Sequence, residues 1–291
     1  MGNSIEDLKY KFGNLDVFGK IIVINAIVFI FNFVLSALLK WDFAQYFVLP
    51  SDFMDFILQP WSLITYGFIH SGFWHILFNM LLLFYLARVA TNIFRPKMVL
   101  NIYFMGIIFG GLAYMAVANI LPGSLFRARG VLLGSSAGVS ALLMFIAVYM
   151  PDSQIRLFNA FNVKWKHIAI VFVVYDVLRL MLGLNQGGYI AHIGGYLLGY
   201  FYATNLIKGK DIGSGFERFM DMFMSWFRPN SKLKTVHRKK GQKRYTNKTK
   251  NEFDTFNKQK KIDMILDKIS KSGYDSLTTE EKEFLFKAGK D

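Results

Sequence analysis

Seven polar side chains interrupt the apolar runs of this sequence where chemistry is conceivable. They are His70, His75 and Asn79 in HSGFWHILFN, Ser135 and Ser136 in GSSAG, Asp176 in VVYDVLRL, and His192 in AHIGGYLLG. A polar group inside a membrane-length apolar stretch is costly and asks for a reason. A serine and a histidine are the minimum for nucleophilic acyl transfer, because the hydroxyl is a weak nucleophile until an imidazole takes its proton. Ser136 is the candidate nucleophile and His192 the candidate base. The oxyanion formed by that attack needs donors aimed at it. His75 and Asn79 carry side-chain N–H groups. The first backbone N–H groups of the helix holding Ser136 have no intrahelical partner and lie at its positive end.

Other chemistries fit less well. The chain has no cysteine, which removes thiolates, disulfides and cysteine metal sites. A zinc site built from His70, His75 and His192 lacks an accompanying carboxylate and an HExxH motif. An aspartyl protease needs a second carboxylate to share a proton with the first. Asp176 has no such companion within a span and is expected to pair with Arg179, three residues on. GxSxG is also the nucleophile elbow of soluble hydrolases, but that pattern requires a strand before the serine and a sheet around it. VLLGSSAGVSALLMFIAV reads instead as a membrane helix.

The elements that must position these residues follow from hydropathy. Apolar residues make up 53% of the 291 and charged residues 19%, against about 25% charge in soluble domains. Residues 207–291 hold 21 of the 34 basic and 12 of the 20 acidic residues, a net +9 of the total +14. An apolar body therefore precedes a polar tail. A spanning helix needs about 20 mostly apolar residues. Six stretches qualify approximately, at 21–39, 73–93, 98–120, 131–150, 167–184 and 189–206. The expected fold is an all-α membrane protein with six transmembrane helices. No cleavable signal peptide is expected, since the N-terminal stretch is polar and of mixed charge.

Basic residues collect on the cytoplasmic side of a membrane. Lys9, Lys11 and Lys20 precede the first helix, Arg88, Arg95 and Lys97 flank the link after the second, and Arg156, Lys164 and Lys166 follow the fourth. Both termini are therefore expected in the cytoplasm. The second, fourth and sixth helices then enter from the outer face, which brings His75, Asn79, Ser136 and His192 to one level. Gly134 and Gly138 on one helix, and Gly195 and Gly199 on another, are spaced to let helix backbones approach closely. The link at 40–61 mixes aromatics with aspartates and two prolines and suits the outer membrane interface.

The expected organisation is a cytoplasmic segment at 1–19, a membrane domain at 20–206, an amphipathic helix and basic linker at 207–250, and a small helical module at 251–291. SGFERFMDMFMSWFR (214–228) carries phenylalanines at helical spacing. The basic linker is expected to meet anionic lipid on the inner leaflet rather than nucleic acid. In the module, Gly273 suits a break between two helices, and Thr278 with Glu281 forms a capping box for the second.

HSGFWHILFN, GSSAG and AHIGGYLLG, in this order and in these spans, resemble the three signatures of rhomboid intramembrane serine proteases. The resemblance covers about residues 15–206, and the C-terminal module resembles one appended to some bacterial members. It implies a Ser136–His192 dyad without a catalytic acid, with His75 and Asn79 at the oxyanion hole and His70 as an accessory histidine near the site. It also implies single-span membrane protein substrates, no metal or cofactor, and a multi-pass cell membrane protein, in the bacterial inner membrane. A catalytically silent relative that binds membrane helices is the alternative. Ser140 stands where the family frequently places an aromatic ring against the catalytic histidine. That leaves the support of His192 to another group, for which Tyr196 is one choice.

Overall fold

A computed structural model describes residues 2–121, 130–157, 161–227 and 250–289. The chain divides into two units, Met1–Phe227 and Arg228–Asp291. In the first unit, α1 (Gly2–Asn14) leads into α2 (Val17–Leu39). Asp16 caps α2 by accepting from the Gly19 N–H at 2.6 Å, which satisfies one of the orphan donors of its first turn. Only Phe18, Ile21 and Asn25 of α2 are buried. Val17, Ile22 and Phe29 are partly buried against the core, while Ile27, Phe33 and Leu38 are exposed and suit lipid rather than water.

The link after α2 is structured. A 3₁₀ turn (Phe43–Tyr46) is followed by β1 (Leu49–Pro50), α3 (Phe53–Leu58) and α4 (Ser62–Thr65). The main helices are then α5 (Phe73–Thr91), α6 (Pro96–Ile120), α7 (Ser136–Tyr149), α8 (Trp165–Met181) and α9 (Gln186–Ile207). β2 (Val131–Leu132) pairs antiparallel with β1 ahead of α7, and β3 (Gln154–Leu157) pairs with β4 (Phe161–Lys164) after it. Asp152, beside that hairpin, accepts from Lys166 at 2.8 Å and Lys164 at 2.9 Å. Those two ammonium groups hold its carboxyl down at about 2.

Each of the six expected apolar stretches contains a helix. By length and composition, α2, α5 and α6 are long and apolar enough to cross a membrane. The fourth stretch departs from expectation. Helix was expected from residue 131, but the chain stays extended through β2 and α7 starts only at Ser136. With 14 residues, α7 is about 21 Å long.

The interior is built on α6, α7 and α9. Leu142, Phe145 and Ile146 of α7 meet Ile102, Tyr103 and Ile107 of α6 and Leu198 and Tyr202 of α9 in one buried cluster. In lipid, such helices gain little from leaving an apolar solvent, so close packing and small residues decide how they associate. The glycines show how this is achieved. A Cβ at Gly195 would strike the Ala137 carbonyl oxygen, and one at Gly199 the Ala141 carbonyl oxygen. One at Gly138 would lie 2.7 Å from both the ring and the backbone oxygen of Tyr103. So Gly195 and Gly199 seat α9 on α7, while Gly138 seats α7 on α6. Gly134, expected in the same helical row, lies ahead of α7 with φ +111°.

The amphipathic helix expected after the body is α10 (Ser214–Phe227). Its Glu217 and Asp221 meet Lys97 Nζ at 3.0 and 2.6 Å, which joins it to the start of α6. Phe219 and Met222 are exposed. The basic linker falls mostly outside the described residues. In the second unit, α11 (Lys250–Ser272) is longer than the short helix expected, Gly273 breaks it with φ +80°, and α12 (Thr279–Ala288) begins at the expected Thr278–Glu281 capping box.

Candidate active site

Ser136 is the first residue of α7, and the route by which the chain reaches it is closely pinned. The Ser51 N–H donates to the Gly130 carbonyl at 2.9 Å, β2 runs along β1, and the Gly134 N–H donates to the Tyr66 carbonyl at 2.9 Å. A short strand thus precedes the serine, although helices rather than a sheet surround it. The Val139 N–H bonds the Ser135 carbonyl at 3.1 Å. The N–H groups of Ser136, Ala137 and Gly138 precede that bond and have no intrahelical acceptor.

Gly134 leaves room beside the serine. The point where a Cβ would stand is 2.7 Å from His75 Nε2 and 3.8 Å from Ser136 Oγ. His75 Nε2 and the serine hydroxyl thus flank one small space. Gly134→Ala is expected to fill it, at an additional backbone cost of about 1–3 kcal/mol for a side chain at positive φ. We expect reaction of Ser136 with an acylating probe to fall at least tenfold, measured as a labelling rate in detergent. An unchanged rate would show that this space is not used.

His75 lies in the first turn of α5. Its Nδ1 faces the Ser71 N–H at 3.4 Å and the Ser71 hydroxyl at 3.1 Å. A backbone N–H can only donate, so Nδ1 is the acceptor and the ring proton sits on Nε2, the atom directed towards Gly134. Asn79, one turn on, spends one amide hydrogen on the His75 carbonyl at 2.8 Å and keeps its second. His70 lies ahead of α5 rather than on it. Its Nε2 is 3.3 Å from Ser135 Oγ, and its ring sits 5.0 Å from that of His75. His70 thus contacts the residue before Ser136.

His192 is on α9, with Tyr189 three residues before it and Tyr196 four after. The Tyr189 ring meets the imidazole edge to face at 5.6 Å. His192 Nδ1 is 2.9 Å from Asp176 Oδ2, and the Tyr196 hydroxyl donates to the same oxygen at 2.7 Å. The expected Asp176–Arg179 pair is not formed. Asp176 is buried, whereas Arg179 donates from Nε to the Tyr189 hydroxyl at 3.2 Å. Helical spacing made that pair possible, but each side chain is taken by a different partner on α9, Asp176 by His192 and Tyr196 and Arg179 by Tyr189. Of these contacts, the sequence offered only the position of Tyr196 one turn after His192. The tyrosines at 189 and 196 read equally well as packing.

Ser136, His75, Asn79 and His192 all line one cavity of about 1270 Å³, together with Asp176, Tyr196 and Tyr189. Its lining includes Trp74, Phe78 and Leu82 of α5 and Ile168, Phe172 and Tyr175 of α8. No metal-binding cluster of His, Asp and Glu occurs among the described residues. The Ser136 hydroxyl has no hydrogen-bond partner among the described residues.

The class defined by this fold and cavity is a helical membrane protein with a serine and histidines gathered in an apolar pocket. A family model described as the Rhomboid domain matches residues 58–209, just over half of the chain, and the chain belongs to the rhomboid family. A model for a family of unknown function, DUF6576, matches residues 242–288. The chain is 23% identical to the mitochondrial RHOMBOID-like protein 12 of Arabidopsis thaliana, over 51% of this chain and 47% of that one. It is 25% identical to the mitochondrial Rhomboid protein 1 of Saccharomyces cerevisiae, over 59% and 48% respectively. It is 29% identical to Inactive RHOMBOID-like protein 8 of Arabidopsis thaliana, over 48% and 36%. The chain thus spans half or less of the length of these relatives.

Proposed function

We propose that this protein is an intramembrane serine endopeptidase that cleaves single-span membrane proteins. The observation that carries the reading is the convergence of Ser136, His75, Asn79 and His192 from three helices on one cavity. Ser136 Oγ attacks the scissile carbonyl carbon while His192 Nε2 takes its proton. The oxyanion accepts from the Ser136 N–H, His75 Nε2–H and the free amide hydrogen of Asn79. The C–N bond then breaks, and His192 returns the proton to the leaving amine. Water, deprotonated by His192, releases the acyl group from Ser136. No metal or cofactor enters any step.

The membrane placement that goes with this reading is six spans, with α2, α5, α6, α7, α8 and α9 crossing and both termini on the basic, cytoplasmic side. A 14-residue α7 is shorter than the roughly 30 Å apolar core of a bilayer, which sets its N-terminal Ser136 below the outer surface. Because both α5 and α8 line the cavity, the reading has a substrate segment reach the serine from between those two helices.

The test is reaction with a fluorophosphonate, which labels only an activated serine. Stoichiometric modification mapped to Ser136 supports the reading. An inert, folded chain would favour instead a catalytically silent relative that binds membrane helices; one Arabidopsis relative is named as inactive.

The reading also includes attraction of α10 and the basic segment after it to anionic lipid. A fragment of residues 214–250 is expected to float with anionic vesicles and to stay behind with neutral ones. Equal flotation with both would remove that claim.

A further inference from the structure

Asp176 has one feature that packing alone does not require. It is a carboxylate with a side chain only 3% exposed, and among the described residues no lysine or arginine pairs with it. A buried charge needs compensation. The nearest cation along the helix, Arg179, is engaged with Tyr189. The donors Asp176 receives are the His192 ring and the Tyr196 hydroxyl, both on Oδ2. An ionised carboxylate can only accept, so the proton between Asp176 and His192 belongs to Nδ1. Nε2 is then left unprotonated, as a general base requires, and the ring contacts both Asp176 and Tyr189.

We propose that Asp176 is a positioning residue that turns the Ser136–His192 pair into a triad, fixing the His192 tautomer and meeting the charge the imidazole gains as it takes the serine proton. This rests on the protease reading given above. The electrostatic logic is that of a buried acid behind a catalytic imidazole: the carboxylate stays ionised throughout and stabilises the imidazolium without taking its proton. Tyr196 orients the carboxylate from the other side. Ser140 offers no ring to the histidine but stands beside the Tyr196 hydroxyl, where it supports the same chain of contacts. The groups that face His192 are therefore Asp176 on α8, Tyr189 and Tyr196 on α9, and His75 on α5, with Arg179 held one contact further out on Tyr189.

The experiment compares wild type, Ser136→Ala, Asp176→Asn and Asp176→Glu as full-length protein in detergent. Asparagine preserves shape but can donate to Nδ1 and so favour the wrong tautomer. Fluorophosphonate labelling of Asp176→Asn is expected to slow by about 10²-fold or more, since the analogous change in soluble serine proteases lowers kcat about 10⁴-fold. With a peptide substrate the loss falls on kcat and leaves KM unchanged, and Asp176→Glu recovers part of it. A purely structural tie between α8 and α9 would lower the unfolding temperature without that split. Independently of any variant, ¹⁵N spectra of histidine-labelled wild type should show neutral His192 protonated on Nδ1, with the signal assigned by its loss in His192→Ala. Equal labelling rates for wild type and Asp176→Asn, or an Nε2–H tautomer in wild type, overturn the proposal. A wild type inert to the reagent overturns the protease reading itself, which separates the two failures.

Discussion

Ser136→Ala should reduce cleavage of a transmembrane substrate in liposomes by about 10⁶-fold, to background, because in serine proteases the nucleophile and base act as a unit. Without Oγ no acyl-enzyme forms. The proposed oxyanion donors, the Ser136 N–H, the His75 ring and the Asn79 amide, remain in place, since none depends on the hydroxyl. Folding should be preserved as well, because the Ser136 hydroxyl makes no hydrogen bond among the described residues. His192→Ala is expected to cost about as much, and the double variant no more than either alone. That non-additivity is the signature of a shared step. Measurable cleavage by purified Ser136→Ala would assign the chemistry to another residue.

The second large effect lies in the packing. Gly195→Val is expected to damage stability and activity together. A Cβ at 195 meets the Ala137 carbonyl oxygen, and the Ser140 Cβ stands 3.2 Å from the same point. A backbone carbonyl cannot rotate aside as a side chain does, so α9 must move off α7. Overpacking of this kind costs about 1–3 kcal/mol and sometimes more. Ala137 follows Ser136 directly, and His192 lies less than one turn before Gly195 on α9. The displacement therefore separates Ser136 from His192. A drop in unfolding temperature with loss of fluorophosphonate labelling is the expected pair of results. Gly215→Ala serves as control, because nothing lies within 4 Å of a Cβ at that position. If Gly195→Val retains wild-type labelling, the close approach of α7 and α9 is not what holds Ser136 and His192 together.

Much of the site was legible in the residues. His75, Asn79, Ser136 and His192 stood out because polar groups within apolar runs are expensive, and the structure brings all four to one cavity. Gly195 and Gly199 could be read as contact points because small residues four apart have few other reasons to recur in a membrane helix. The Thr278–Glu281 cap was legible because capping is local chemistry, decided within four residues.

What failed to show in the sequence was decided by distant partners. VLLGSSAG looks helical by hydropathy, yet its first part is extended. Strand β1, some 80 residues earlier, supplies hydrogen bonds that the isolated segment could not count on. The positive φ of Gly134 follows from that docking and the tight turn into α7. For Asp176, helical spacing pointed to Arg179, because sequence exposes neighbours at i+3 and conceals those on another helix. The side of α8 that faces α9 is set only when the bundle closes, and that gives Asp176 to His192 and Tyr196.

The sequence by itself determined that the chain is an apolar helical body with a basic tail, and which side chains could perform acyl transfer, since both follow from residue type and short-range periodicity. The tertiary structure alone decided where the helix carrying Ser136 begins, which helix each glycine touches and what stands behind His192. Those are matters of which surfaces meet, and they depend on backbone approaches and hydrogen bonds between segments far apart in the chain.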